Sequence, residues 1–127
     1  MEIIFHEGES HLPRVILDKE NNKFEISGHS LPEDVNAFYT PILNWLDEYI
    51  QSPNENTEVT IKMVYFNTAS SKMLYDVMDK LYTLYEKGNK VKVLWYYADD
   101  DEEMEEAGKE FEDMVDIPFE FISYPAD

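Results

Sequence analysis

The chain reads as an α/β fold, a mixed β-sheet with packed helices in the order β-β-β-α-β-α-β-α-β. Three observations predict it. Two short apolar runs near the N-terminus are joined by Lys19-Glu20-Asn21-Asn22, the length and chemistry of a hairpin connection. Through the second half, stripes of helical spacing alternate with apolar strand-like runs, which calls for parallel strands joined by right-handed crossovers. No internal repeat and no Pro- or Gly-rich linker divides the 127 residues, so a single domain is expected over 1–127.

Each element has its own signal. Ile3 to Phe5, Val15 to Asp18 and Lys23 to Ser27 predict three strands, and the third alternates Phe24 and Ile26 against Glu25 and Ser27. Gly28 is expected to end it. Ser30-Leu31-Pro32-Glu33 has the S-x-x-E spacing of a capping box, with Pro in the first turn where a missing N–H costs nothing. Val35, Phe38, Ile42, Trp45, Leu46 and Tyr49 then follow at helical spacing. Pro41 inside that stripe predicts a kink, or a split with Thr40 capping the second half. After a loop at Ser52 to Asn56, the run from Val59 to Phe66 predicts a central strand buried on both faces. Leu74, Val77, Met78, Leu81, Leu84 and Tyr85 mark a second helix, stopped by Gly88-Asn89. Val91 to Tyr97 and Phe119 to Ile122 predict the last two strands. Between them Met104, Ala107, Phe111 and Val115 make the buried stripe of a third helix.

Charge narrows the function. There are 28 acids against 10 Lys and Arg, a formal −18. Such a field repels a phosphate backbone, so nucleic acid is excluded as a partner, and an anionic membrane surface is disfavoured. With no cysteine, disulfides, thiolate metal sites and Cys catalysis are excluded. No apolar run approaches a membrane span, and MEIIFHEGE lacks the marks of a secretion signal, so a cytoplasmic location is expected. Much of the charge lies in residues 99–116, which hold eleven acids and one base, Lys109. Acids at Asp99 to Glu103 suit the positive end of a helix dipole. The plain reading of this segment is a solvated helix face; the alternative is a constitutive docking surface for a basic protein. No calcium-loop spacing occurs.

Catalytic signatures are missing, so no enzyme activity, cofactor or metal is expected. The four glycines do not cluster into a phosphate loop, and His6, His11 and His29 lack metal-ligand spacing. One segment stands apart: Tyr65-Phe66-Asn67-Thr68-Ala69-Ser70-Ser71-Lys72, where the central strand ends and the second helix begins. In its simplest reading Asn67 or Thr68 caps the helix and the serines satisfy other unpaired N–H groups. The same position also suits a switch. Carboxyl ends of strands carry ligand sites in open α/β sheets, and a helix N-terminus stabilises an added phosphate. Lys72 is one turn in and is placed to partner it.

The runs Gly28-His29-Ser30-Leu31-Pro32-Glu33-Asp34, Phe38-Tyr39-Thr40-Pro41-Ile42, Trp45-Leu46-Asp47-Glu48-Tyr49 and Tyr65 to Lys72 resemble the SiaC family of bacterial regulatory phosphoproteins. The resemblance runs from Pro13 to the last strand. It implies a fold like that of STAS-domain anti-sigma-factor antagonists and a partner-switching role without catalysis. A cognate kinase would phosphorylate Thr68, a PP2C-type phosphatase would remove the phosphate, and the unphosphorylated form would bind a target such as a diguanylate cyclase, in cyclic-di-GMP signalling and biofilm control. Asn67, Ser70, Ser71 and Lys72 would support the switch, and Gly28, Ser30, Pro32 and Glu33 would offer partner surface.

Overall fold

The computed structural model describes residues 1–127, and its elements follow the expected order. They are β1 (Ile4–His6), β2 (Arg14–Asp18), β3 (Lys23–Ser30), α1 (Val35–Gln51), β4 (Asn56–Phe66), α2 (Thr68–Glu86), β5 (Lys90–Ala98), α3 (Glu102–Met114) and β6 (Phe119–Tyr124). The strands form one six-stranded sheet in sequence order. β1, β2 and β3 pair antiparallel, and β3 through β6 pair parallel. Connection length explains the division, since a tight turn can only reverse the chain while a helix carries it back to the same end. No helix is long and apolar enough to cross a membrane.

Register aligns the core. Ile4, Leu17, Phe24, Val59, Val93 and Phe119 are successive partners across all six strands, and His6, Val15, Ile26, Ile61, Trp95 and Phe121 form a second such row. Both rows face the same way, because side chains two apart on a strand share a face. All three helices pack on that side, in one cluster of 25 buried residues. The other side of the sheet carries no helix. β4 is therefore not buried on both faces: Thr57, Val59, Ile61 and Met63 are in the core, while Glu58, Lys62 and Val64 are exposed.

Four further expectations are corrected. β3 does not stop at Gly28 but runs on to Ser30. Met63 pairs with Gly28 and Tyr65 with His29, so Val64 is an extra residue on β4. This bulge, beside Gly28 at φ 97°, lets both Met63 and Phe66 turn to the helix side. Ser30 and Glu33 do not form a capping box, because Ser30 is still strand; the cap of α1 is Asp34, whose Oδ1 accepts the Ala37 N–H at 3.0 Å. Pro41 does not split α1, which runs unbroken from Val35 to Gln51 with the proline exposed inside it and Thr40 an ordinary helical residue. Tyr85 is on the surface rather than in the stripe of α2, and Ser70 is buried in that helix instead.

In α3 the closest approach is made by a glycine. A Cβ on Gly108 would stand 2.5 Å from Trp95 Nε1 and 2.8 Å from a Phe121 ring carbon. The bare backbone lets the helix lie on the Trp95 ring, whose Nε1 donates to the Met104 carbonyl at 3.0 Å.

Candidate functional site

The helices α1, α2 and α3 all begin at the carboxyl ends of the parallel strands. Each is capped in the same way, by a side-chain oxygen accepting the N–H three residues on: Asp34 from Ala37, Asn67 from Ser70 at 2.9 Å, and Asp101 from Met104 at 3.0 Å. Their charges differ. α1 has an aspartate cap, and α3 has one backed by Glu102, Glu103 and Glu105 in its first turn. α2 has a neutral cap and no acid in its first turn. The positive end of its dipole is the one left without a formal counter-charge.

The start of α2 is fastened to the end of β3. Asn67 N–H donates to the Ser30 carbonyl at 3.1 Å. Ser70 Oγ donates to the same carbonyl at 2.9 Å, and Ser30 Oγ donates to Ser70 Oγ at 2.8 Å. Each hydroxyl has one proton, so the 2.6 Å contact between Tyr39 and Ser30 must be the phenol donating to Ser30 Oγ. The order is Tyr39 O–H to Ser30, Ser30 O–H to Ser70, Ser70 O–H to the Ser30 carbonyl. All three side chains are 0% exposed, and every donor in the chain is used. Burial raises the Tyr39 pKa, with the serine hydrogen bonds opposing it.

Against this fixed base, Thr68 is the first residue of α2 and is exposed. Ala69 and Lys72 are exposed too, and Ser71 is half-buried with its N–H bonded to the Asn67 carbonyl at 2.9 Å. Lys72 lies four residues after Thr68, on the same helix face. Just before the cap, Val64 and Tyr65 stand 53% and 51% exposed. Strand alternation puts Val64 on the helix-free face, and the bulge turns Tyr65 outward beside it.

Of the partner surface expected at residues 28–33, Ser30 is no surface at all, being fully buried in the hydroxyl chain. Gly28 and Pro32 are half-buried, and Glu33 is exposed. His6, in β1, packs its ring edge-on against Phe38 at 5.4 Å. A surface hollow of about 740 Å³ lies between Asn56–Glu58 and Gly88–Lys92, at the opposite end of the sheet from Thr68. Tyr39 escaped the sequence reading because Phe38, next to it, fits the same stripe. The exposed Val64 and Tyr65 escaped it because an apolar run looks buried on both faces until one face is found uncovered and a bulge turns a further residue outward.

A family model described as SiaC family regulatory phosphoprotein matches residues 6–124. An uncharacterized protein of Pseudomonas aeruginosa strain UCBPP-PA14 is 24% identical over 112 residues, 88% of this chain and 89% of that one. Among solved structures, apo-SiaC from Pseudomonas aeruginosa superposes with a TM-score of 0.87 at 23% identity, covering 96% of this chain and 99% of its own. The structure of the diguanylate cyclase SiaD in complex with its activator SiaC, also from Pseudomonas aeruginosa, gives 0.90 at 22% identity, covering 95% and 99%. These structures share the fold.

Proposed function

The chain belongs to the SiaC family of regulatory phosphoproteins, and we propose that it is a partner switch without catalytic activity, controlled by phosphorylation of Thr68. A cognate kinase adds the phosphate and a PP2C-type phosphatase removes it. The unphosphorylated form binds and regulates a target protein. A diguanylate cyclase is the target class of choice, since SiaC of Pseudomonas aeruginosa is the activator of such an enzyme in their complex.

One observation carries the assignment: of the hydroxyls at the start of α2, Thr68 is exposed at a helix N-terminus lacking acids, while Ser70 is sealed into a hydrogen-bond chain. A phosphate on Thr68 gains the helix dipole and Lys72. It also sets about −1.5 to −2 charges beside the exposed Val64 and Tyr65, where an apolar partner contact cannot tolerate them. Asn67 supports the turn through its capping side chain and its backbone, and Ser71 through its N–H. To test this, the protein is incubated with a kinase encoded beside it and ATP, and the phosphate is mapped by mass spectrometry. Labelling of wild type at Thr68, and none of Thr68→Ala, is expected; equal labelling of both overturns the assignment.

A second reading rests on α3, whose outer face carries Glu102, Glu103, Glu106 and Glu110. As a constitutive docking surface it would hold a basic partner in a salt-sensitive, phosphate-independent way. Charge reversal at Glu102, Glu103, Glu105 and Glu106 abolishes that association if this reading holds.

A further inference from the structure

The helix-free face of the sheet differs in charge from the rest of the molecule. By strand alternation it presents five of the ten bases, Arg14, Lys23, Lys62, Lys90 and Lys92. Only four of the 28 acids point the same way: Asp18, Glu25, Glu58 and Glu120. The strand residues of this face therefore carry one net positive charge on a chain of −18, with Asp100, Asp101 and Asp127 at its Tyr124 edge. Several of its charges are already matched within the chain, Arg14 with Glu25 at 3.4 Å and Lys92 with Glu120 at 3.3 Å.

Its middle is apolar and aromatic. Lys62 Nζ lies 4.7 Å from the Tyr124 ring centre and 5.7 Å from that of Tyr96. The ammonium holds the two rings across neighbouring strands, beside Leu94 and Ile122. The result is a broad platform, not a groove for a single peptide.

We infer that two copies of this chain associate through this face, sheet against sheet about a two-fold axis. Pairing through the helix side would bring the acids of α3 in the two copies together. This one leaves them on the far sides of two sheets packed roughly 10 Å apart, beyond a Debye length of about 8 Å. A near-neutral face is compatible with its own copy, as an isologous contact requires. Strands spaced roughly 4.8 Å and rising about 3.3 Å per residue make a face of roughly 500 Å² per copy, so about 1,000 Å² in the pair. That meets the roughly 1,000 Å² a biological interface must clear and falls in the range of weak, reversible ones.

Sedimentation equilibrium of the whole chain tests this, with wild type, Leu94→Glu and Ile122→Lys. Wild type is expected at twice the 15.0 kDa chain mass. Salt should tighten the dimer, because it screens the repulsion between two −18 chains. Both variants should sediment as monomers with wild-type circular dichroism. Should either unfold, hydroxyl-radical footprinting of wild type reads the face directly, with Tyr96 and Tyr124 protected as concentration rises. A wild type that stays monomeric up to about 1 mM, where even a contact worth only about 4 kcal/mol is half populated, overturns the inference. So does a dimer that survives both folded variants, or one that leaves Tyr96 and Tyr124 unprotected.

Discussion

Ser30 and Ser70 hold each other twice: Ser30 Oγ donates to Ser70 Oγ at 2.8 Å, and Ser70 Oγ donates to the Ser30 carbonyl at 2.9 Å. The pair lies 40 residues apart in sequence and joins the end of β3 to the first turn of α2 without access to water. It separates two serine and threonine roles that the sequence crowds together. Ser70 is a fastening, and Thr68 is free for modification.

Ser70→Ala therefore leaves the Ser30 hydroxyl buried with no acceptor and takes one donor from the Ser30 carbonyl. The expected cost is about 1–3 kcal/mol of stability, read from urea denaturation. Phosphorylation of the folded variant should still reach one phosphate per chain, at Thr68. A halved stoichiometry would mean Ser70 is itself an acceptor.

Phosphate on Thr68 supplies the charge that α2 lacks at its N-terminus. Stabilisation of about 0.3–1 kcal/mol is expected, as for an exposed charge at a helix end. Thermal unfolding of the phosphorylated and unphosphorylated forms at low salt checks it. The midpoint should rise on phosphorylation, and less so in high salt. A fall would place the phosphate outside the dipole's reach.

Gly108→Ala pits two effects against each other. Alanine is the better helix former by about 1 kcal/mol, but its Cβ meets Trp95 Nε1 and Cδ1 at 2.5 and 2.6 Å. Relieving that overlap means moving α3 or the fully buried Trp95, a cost of roughly 1–3 kcal/mol. Net destabilisation is expected, with a change in Trp95 fluorescence. A gain in stability would show that α3 shifts without strain.

Tyr39 links stability to alkaline pH. Its pKa is raised, by burial, above the ordinary 10.0, so the folded state resists losing the phenolic proton. The stability this contributes is present below pH 10.0 and is lost as pH climbs from there through the folded value. Tyr82, whose pKa is raised chiefly by the neighbouring Glu86 carboxylate, and Tyr124, raised by burial, act in the same sense. Denaturation midpoints followed from pH 8 upward should fall above pH 10.0, and Tyr39→Phe should flatten the fall. An unchanged slope would mean Tyr39 ionises as freely folded as unfolded.

The strand order, helix order and parallel half of the sheet were legible because the apolar runs and stripes have the periods of the elements they form. Phe24 and Ile26, alternating with Glu25 and Ser27, needed no tertiary knowledge. Coverage of the sheet was not legible. An apolar run such as Val59 to Phe66 has the same composition whether one or two layers cover it, and only the packing of all three helices on one face decided. The capping pattern at Ser30 failed for a related reason: the spacing matched, but β3 extended past Gly28 and took Ser30 into the sheet. In the candidate site, Thr68 and Asn67 were readable as hydroxyl and cap at a strand–helix junction. The Tyr39–Ser30–Ser70 chain was not, because its members lie 9 and 40 residues apart and meet only once the sheet register is set.

In the proposed function a phosphate on Thr68 decides partner binding. The direct measurement is the affinity, by titration calorimetry, of a diguanylate cyclase from the same genome for four forms of the protein: unphosphorylated, fully phosphorylated, Thr68→Ala and Thr68→Asp. Equal binding by the unphosphorylated and Thr68→Ala forms is expected. Binding at least about tenfold weaker, roughly 1.4 kcal/mol, is expected for the phosphorylated and Thr68→Asp forms. Equal affinity of all four forms for a cyclase that binds would contradict it.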